Sequence, residues 1–173
     1  MWFNFGKKKD VQSAQPAQPV AINEPEQTAH QILTLESIKI GQPSVSKENA
    51  IRIAGQILVD RGCVMEGYID AMLEREQVVT TYLGEGVAIP HGVGSAKDMI
   101  LKSGVSVVQF PQGVCFGGEE DVAHLVIGIA GANGEHLSII SNLAKAMQDA
   151  DAFRALFSTE NPEQILHQLT SKM

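Results

Sequence analysis

The run HLVIGIA at positions 124–130 is apolar at nearly every position, so an extended chain here carries apolar side chains on both faces. A strand with one solvated face alternates polar and apolar residues, whereas a strand that is buried on both faces does not. The run GVSVVQF at 104–110 is also β-rich, and Gly or Pro bounds both runs. The two runs predict two strands, of which the second lies in the centre of a sheet.

Shorter elements surround these two strands. Ile38 and Ile40 alternate with polar neighbours, which predicts a first strand, and TYLGEGVAIPHG at 81–92 predicts a strand that enters a turn. The spacing of apolar residues predicts three longer helices, and Ser46 is expected to cap the first of them and Gly62 to close it. Their apolar stripes are Ala50, Ile53, Ala54, Ile57 and Leu58; Met65, Ile69, Met72 and Leu73; and Leu137, Ile140, Leu143, Ala144 and Met147.

The ends of the remaining helices can also be predicted. The second helix is expected to end near Arg75, and Asp151 is expected to cap a short helix. Asn161-Pro162-Glu163 is typical of a helix start, because it supplies a cap, a proline in the first turn and an acid at the positive end. Strands that alternate with helices predict a single α/β layered domain, for which 173 residues are sufficient.

The N-terminal segment differs in composition from the rest of the chain. Within residues 1–9, three aromatic residues precede three lysines, and a stretch rich in Gln, Ala and Pro follows. We interpret residues 1–29 as a flexible tail or linker and residues 30–173 as the domain. Two interpretations of residues 1–9 are open: a frayed terminus, or a weak, reversible anchor whose aromatics enter the lipid headgroups while its lysines meet anionic lipid.

Composition excludes several classes of protein. The formal net charge is -7 and the pI is about 5.2, so the chain lacks the basic footprint of a general nucleic-acid binder. No apolar run approaches the roughly 18 residues that span a bilayer. Two cysteines, Cys63 and Cys115, form no C-x-x-C pattern, which excludes a disulfide scaffold and fits a reducing cytoplasm. We therefore expect a cytoplasmic protein.

Familiar nucleotide and hydrolase motifs do not occur in the sequence. There is no G-x-x-x-x-G-K-[ST], no H-E-x-x-H and no G-x-S-x-G. Two G-x-G strings, at 84–86 and 92–94, lack the third glycine of a dinucleotide loop, because Ile89 and Lys97 stand in its place. We therefore expect no nucleotide cofactor and no dedicated metal site.

Two of the five histidines stand out by their surroundings. His91 directly follows Pro90, which stiffens the end of a strand, and precedes Gly92, which permits close approach by another surface. His136 lies in the first turn of a predicted helix, where free N–H groups favour an anion. The other three histidines, at positions 30, 124 and 167, are interpreted as solvated or strand-edge residues.

Such a pair of histidines fits phosphoryl transfer between proteins. A neutral imidazole is a nitrogen nucleophile near pH 7, and it can hold a phosphoryl group as a labile N–P bond. A second imidazole, a helix N-terminus and an arginine can each stabilise the added negative charge. Because the sequence shows no nucleotide site, the donor is expected to be another phosphoprotein.

The strings TYLGEGVAIPHG, AKDMILKSGVSVVQFP, LVIGIAG and GEHLSIISNLA resemble the EIIA domain of the bacterial phosphoenolpyruvate-dependent sugar phosphotransferase system. The similarity is to the mannitol/fructose class and, within it, to the mannitol-type members. It extends from about Leu33 to the C-terminus. It implies a mixed five-stranded sheet flanked by helices on both faces, in agreement with the α/β pattern.

The resemblance implies a role for four residues. His91 matches the histidine that is phosphorylated on Nε2, and His136 matches the second histidine, which hydrogen-bonds the first or its phosphoryl group. Arg75 matches the arginine that supports the phosphoryl charge. Glu85 matches an acidic residue near the site.

The resemblance also implies the partners of the chain. The family accepts its phosphoryl group from HPr and passes it to an EIIB domain, which in mannitol systems accepts it on a cysteine, while EIIC moves the sugar. The cognate EIIB or EIICB is expected on a separate chain. Mannitol is inferred from kinship, and fructose or another polyol stays open. Cys115 lacks the anion loop of an EIIB cysteine and is expected to be a buried strand residue.

The sequence leaves two other hypotheses open. The first is a nitrogen-type regulatory EIIA, which shares the fold and the phosphohistidine but acts by phosphorylation-dependent binding of regulators. Its second site position usually lacks histidine, so Glu135-His136 argues against it. The second is a zinc site formed by His91, His136 and Glu85, although no tight ligand spacing supports one.

Overall fold

The computed structural model describes residues 32–171. The predicted tail, 1–29, and His30 lie outside the described residues. Within 32–171, no helix combines the length and the apolar character that crossing a bilayer requires.

A mixed five-stranded sheet forms the centre of the molecule, as the resemblance implies. Its strands are β1 (Ile38–Lys39), β2 (Tyr82–Gly84), β3 (Val87–Ala88), β4 (Gly104–Cys115) and β5 (Val122–Ala130). Their order is β1-β4-β5-β3-β2, so the predicted central strand, β5, is confirmed. It pairs antiparallel with β4 and parallel with β3. This arrangement places the ends of β3 and β5 side by side.

Five α-helices flank the sheet in the described residues. They are α1 (Lys47–Asp60), α2 (Tyr68–Val78), α3 (His136–Ala146), α4 (Ala150–Arg154) and α5 (Pro162–Thr170). One core cluster packs α1 and α2 against Val108 and Val126, and a second packs α3, α4 and α5 against Val107 and Ile127. Since neighbouring strand residues point to opposite faces, the predicted helices on both faces of the sheet are confirmed.

Several predicted helix ends are confirmed. The Ser46 hydroxyl accepts the Asn49 N–H at 3.2 Å at the start of α1, and Gly62 has a φ of +64° beyond the end of that helix. At the start of α5, the Asn161 side chain accepts the Glu163 N–H at 2.9 Å. The apolar residues of α1 lie in the core, as their spacing predicts.

Other boundaries differ from the sequence prediction. Met65 does not join α2, because its N–H donates to the Met99 carbonyl at 2.8 Å, and its side chain is 52% exposed. The helix α2 also continues past Arg75 to Val78. The cap of α4 is Asp149, whose carboxylate accepts the Ala152 N–H at 3.1 Å, rather than Asp151.

Three predictions about burial or continuity are wrong. The buried stripe of α3 is Ile139, Leu143 and Ala146, and Leu137 is 66% exposed. The stretch TYLGEGVA is a hairpin of two strands rather than one, because the chain reverses through positive φ angles at residues 84–86. Cys115 is exposed, since it lies at the end of β4.

Candidate functional site

His91 lies where β3 leaves the central strand. The Ile129 N–H donates to the Pro90 carbonyl at 3.0 Å, and His91 forms a single parallel bridge with Ile129. The chain beyond β5 turns through residues 131–134 into α3. The imidazole therefore stands at the carboxyl ends of two neighbouring parallel strands, which is where α/β proteins place their sites.

A cavity of about 580 Å³ opens at this edge of the sheet. His91, His136 and Arg75 all line it, so the fold brings together three of the four residues that the sequence singled out. Its other lining residues are Tyr68, Gly92, Val93, Gly94, Lys97, Asp98, Ile100, Gly131, Ala132, Asn133 and Gly134. Residues of three segments that are remote in sequence thus face one space.

One ring nitrogen of His91 is occupied by the backbone. Nδ1 lies 2.8 Å from the Ile89 carbonyl oxygen. A carbonyl only accepts, so Nδ1 of the neutral ring carries the proton and donates it to this oxygen. The lone pair of the neutral imidazole is then on Nε2, which is the nitrogen available to a nucleophilic attack.

The environment of His91 also keeps the ring neutral. Burial lowers the pKa of His91 below the usual value of 6.5, and the nearby positive charges of Arg75 and His136 lower the pKa further. The hydrogen bond to Ile89 and the carboxylate of Glu76 oppose this shift without reversing it. Near pH 7 the imidazole is therefore a base and a nucleophile rather than a cation.

Arg75 and His136 reach the cavity from two helices. Arg75 is in the last turn of α2, where its Nη1 donates to the Val79 carbonyl at 2.8 Å and the half-buried guanidinium keeps other donors for the cavity. His136 is the first residue of α3. The first N–H groups of a helix have no partner within it, and the helix dipole favours negative charge there. Both elements thus suit an anion beside His91.

The loop before α3 is held by polar contacts. The Ala132 N–H donates to the Ser103 hydroxyl at 2.9 Å, and that hydroxyl in turn donates to the Glu135 carboxylate. A Cβ on Gly131 would lie 2.2 Å from the backbone nitrogen of His136, so only glycine fits at this position. These contacts fix where α3 begins and hence where His136 enters the cavity.

Glu85 does not reach the cavity, and this corrects the expectation that it lies near the site. It occupies the turn between β2 and β3 with a φ of +49°, and its carboxylate pairs with Arg154 at 3.0 Å. The extended chain from Gly86 to His91 separates the end of this turn from His91 by about 16 Å, at roughly 3.3 Å per residue. The turn and the cavity therefore lie at opposite ends of β3.

The same placement contradicts the zinc hypothesis in the form that joined His91 and His136 to Glu85. The third ligand of that set is at the far end of β3, paired with Arg154. Among residues 32–171, no group of three or more His, Cys, Asp or Glu side chains comes close enough to hold a metal ion.

The sequence did not indicate a role for Glu76, which stabilises the backbone that leads to His91. Its buried carboxylate accepts the N–H and the hydroxyl of Thr81 at 2.7 and 2.6 Å, and it lies 3.4 Å from the Lys47 ammonium. The Thr81 carbonyl accepts the Ile89 N–H at 2.9 Å. Glu76 therefore helps to anchor the strand that carries His91. A glutamate next to Arg75 in a helix is expected to be solvated, so no sequence signal indicates that Glu76 is buried.

Lys97, Asp98 and Tyr68 were also missed. Lys97 and Asp98 belong to a 3₁₀ helix, Gly94–Met99, that borders the cavity. Lys97 adds a second cation beside the Arg75 guanidinium. Tyr68 forms part of the wall and is buried among core residues. Apolar spacing marks such a tyrosine only as core, so its position at the site depends on the folded chain.

The pKa shift of His91 gives a prediction about pH. We expect NMR titration of the His91 ring to give a midpoint below 6.5, because burial disfavours the imidazolium. The unfolded chain then binds this proton more readily than the native state does. His91 therefore stabilises the native state above pH 6.5, and that contribution is lost as the pH falls through the native pKa. A midpoint at or above 6.5 would contradict the burial of the ring.

Comparison with known proteins agrees with this geometry. Residues 31–172 match the family model described as "Phosphoenolpyruvate-dependent sugar phosphotransferase system, EIIA 2". The chain is 48% identical over 137 residues to the mannitol-specific EIICBA component of Pasteurella multocida, covering 78% of this chain and 22% of that protein. It is 45% identical over 136 residues to the mannitol-specific phosphotransferase enzyme IIA component of Bacillus subtilis, covering 79% and 94%.

A solved structure shares the fold. It is the complex of enzyme IIAMTL and phosphorylated enzyme IIBMTL from Escherichia coli, with a TM-score of 0.77, 45% sequence identity, and coverage of 80% of this chain and 97% of the matched chain. The chain spans about a fifth of the length of the EIICBA relatives and nearly all of the free IIA relative. The chain belongs to the EIIA 2 family of the phosphoenolpyruvate-dependent sugar phosphotransferase system, and the Pasteurella and Bacillus relatives named above are mannitol-specific.

Proposed function

We propose that this protein is a phosphocarrier, in which His91 accepts a phosphoryl group from phospho-HPr and passes it to an EIIB domain. The observation that carries the proposal is the cavity, where a neutral imidazole, whose Nε2 has no hydrogen-bond partner among residues 32–171, shares one space with Arg75 and His136. Each of these groups has a use in holding a phosphoryl group for transfer.

The proposed first step moves one phosphoryl group between two nitrogens. The lone pair on Nε2 of His91 attacks the phosphorus of the donor phosphohistidine, and a new N–P bond forms as the donor's N–P bond breaks. The electron pair of the broken bond returns to the donor imidazole. In the product, Nδ1 of His91 keeps its proton and its bond to Ile89. Arg75 and His136 then balance the negative charge on the phosphoryl oxygens.

The second step reverses these roles. A thiolate of the EIIB domain attacks the phosphorus, an S–P bond forms, and the N–P bond returns its electrons to Nε2. Support for an EIIB acceptor comes from the mannitol-type relatives, which are 45–48% identical to this chain. A nitrogen-type regulatory EIIA is less well supported, since the two sequence relatives named above, at 45–48% identity, are both mannitol-specific. The sugar would be mannitol or a related polyol.

Exposed apolar side chains around the cavity suit docking of these partners. Leu137 follows His136 directly, and Leu101 follows Ile100, which lines the cavity. Met65 lies near Leu101, since its N–H donates to the Met99 carbonyl and Val64 bridges to Ile100. We define Met65, Leu101 and Leu137 as the apolar rim. Exposed apolar groups that surround a reactive centre are typical of a protein-binding surface.

The rim gives a second prediction. Leu137→Asp is expected to slow transfer of the phosphoryl group from the phosphorylated protein to EIIB by about tenfold or more, because it places a charge in the desolvated centre of the contact between the two proteins. Labelling by the small donor phosphoramidate should not change. Leu83→Asp is the matched control, since Leu83 is exposed on the edge strand β2. Equal rates of transfer to EIIB by the two variants would show that the apolar rim does not take part in the contact with EIIB.

We also propose a weak contact of residues 1–9 with anionic membrane, which would keep the carrier near its transporter. The support is compositional, from aromatics beside lysines. Co-sedimentation with vesicles that contain anionic lipid tests it, with a variant that lacks residues 1–29 as the control. Equal recovery of both proteins in the pellet would exclude the contact.

A reconstituted relay tests the proposed function as a whole. Enzyme I, HPr and labelled phosphoenolpyruvate should transfer label to this chain, at one phosphoryl group per chain, and addition of an EIICB membrane fraction should move it to mannitol. Absence of label on the chain after HPr is fully phosphorylated would refute the proposal that HPr is the phosphoryl donor. Label that never leaves the chain with any EIIB would favour a regulatory role.

A further inference from the structure

We propose that Tyr68 is a positioning residue for phosphoryl transfer, because its hydroxyl is inserted into the last hydrogen bond between the His91 strand and the central strand. This inference rests on the proposed function, and it assigns a role to an uncharged residue other than His91, His136 and Arg75. Tyr68 is in the first turn of α2 and is only 2% exposed.

The hydroxyl of Tyr68 makes two hydrogen bonds across the strand end. It accepts the Gly92 N–H at 3.0 Å and donates to the Ile129 carbonyl at 2.9 Å. Next to a parallel bridge between His91 and Ile129, a regular ladder would join that N–H directly to that carbonyl. The preceding bond, from the Ile129 N–H to the Pro90 carbonyl, is regular at 3.0 Å.

The inserted hydroxyl therefore opens the sheet directly after His91. Pro90 bonds directly to the central strand, whereas Gly92 is linked to it through the Tyr68 hydroxyl, so the backbone of His91 is fixed from both sides. The ring of Tyr68 packs so closely on Gly92 that a Cβ there would lie 2.6 Å from it. Together with the bond from Nδ1 to Ile89, these contacts fix the orientation of the His91 ring, which lines the cavity.

Burial of Tyr68 supports the assignment of donor and acceptor. Desolvation raises the pKa of the phenol above its usual value of 10, and the hydrogen bond from Gly92 opposes this shift only in part. The hydroxyl therefore keeps its proton throughout the neutral range, and it can donate to Ile129 while it accepts from Gly92.

Tyr68→Phe tests the proposal, with Tyr82→Phe as a matched control. The Tyr82 hydroxyl also accepts a glycine N–H, that of Gly86 at 3.3 Å, but at the other end of the hairpin. We expect Tyr68→Phe to lower the rate of His91 phosphorylation by HPr and by phosphoramidate about 10- to 100-fold, as a displacement of the nucleophile would. Tyr82→Phe should stay within about twofold of the unsubstituted protein.

A spectroscopic readout separates positioning from general stability. In Tyr68→Phe, the ring ¹⁵N signals of His91 and the midpoint of its titration should shift, whereas Tyr82→Phe should leave them unchanged. Gly92→Ala should lower the rate as well, because the added Cβ would press against the Tyr68 ring. The last variant keeps the test open if Tyr68→Phe does not fold.

Two outcomes would overturn the inference. One is a Tyr68→Phe protein whose rate and His91 signals match those of Tyr82→Phe. The other is a Tyr68→Phe protein that loses rate only in proportion to its unfolded fraction, with unshifted His91 signals. Failure of the unsubstituted protein to accept label from either donor would instead refute the proposed function, and the His91 signals would still decide the role of Tyr68.

Discussion

His91→Gln is expected to abolish phosphorylation of this chain by phospho-HPr. In the proposed transfer, Nε2 of His91 forms the new N–P bond, and an amide nitrogen is not a nucleophile under these conditions. The loss should therefore be complete rather than partial, with incorporation at the level of the unphosphorylated control. The measurement is label per chain after HPr has been fully phosphorylated.

The fold should survive this substitution. His91 is half-buried, and the bond from Nδ1 to Ile89 contributes about 0.5–1.5 kcal/mol to the free energy of unfolding. His124→Gln is a suitable control, because that half-buried ring also contacts a backbone carbonyl, that of Pro111 at 3.2 Å, away from the cavity. A His91→Gln protein that takes up label, or a His124→Gln protein that does not, would contradict the assignment.

His136→Ala should slow phosphorylation by about 10²–10³-fold, the range observed when one donor to a developing anion is removed. The substitution removes a ring from the cavity that holds His91, and it leaves the backbone N–H groups of α3 in place. The effect is therefore large but incomplete. Rapid-quench measurement of label transfer from HPr gives the rate.

The change should affect transfer more than folding, since His136 is the first residue of its helix and only half-buried. His167→Ala removes an exposed histidine from α5 and should leave both the rate and the thermal transition unchanged. A collapsed thermal transition in His136→Ala would instead indicate a structural role for this residue.

The central strand and the helices could be predicted because their signals are local. The apolar run at 124–130 is buried on both faces in β5, and Ser46 and Asn161 cap their helices through contacts within three residues. The Pro90-His91-Gly92 string also indicates local geometry, because the proline stiffens the backbone before His91 and only glycine fits beneath the ring of Tyr68.

The remaining features depend on contacts between distant parts of the chain. The position of Glu85 was mispredicted because the turn at residues 84–86 reverses the chain, and this side chain meets Arg154 about 70 residues away. The role of Tyr68 could not be predicted, since its hydroxyl bonds to Gly92 and Ile129 only in the folded sheet. A histidine at a helix start likewise becomes part of a site only through the folded chain.

The most direct test of the account is NMR of the phosphorylated protein, with ¹⁵N-labelled histidine and detection of the ³¹P–¹⁵N coupling. The account predicts a single phosphoryl group, bonded to Nε2 of the ring at position 91, while Nδ1 keeps its proton and its bond to the backbone. Coupling to Nδ1 of that ring, or a phosphoryl group on any other side chain, would contradict it.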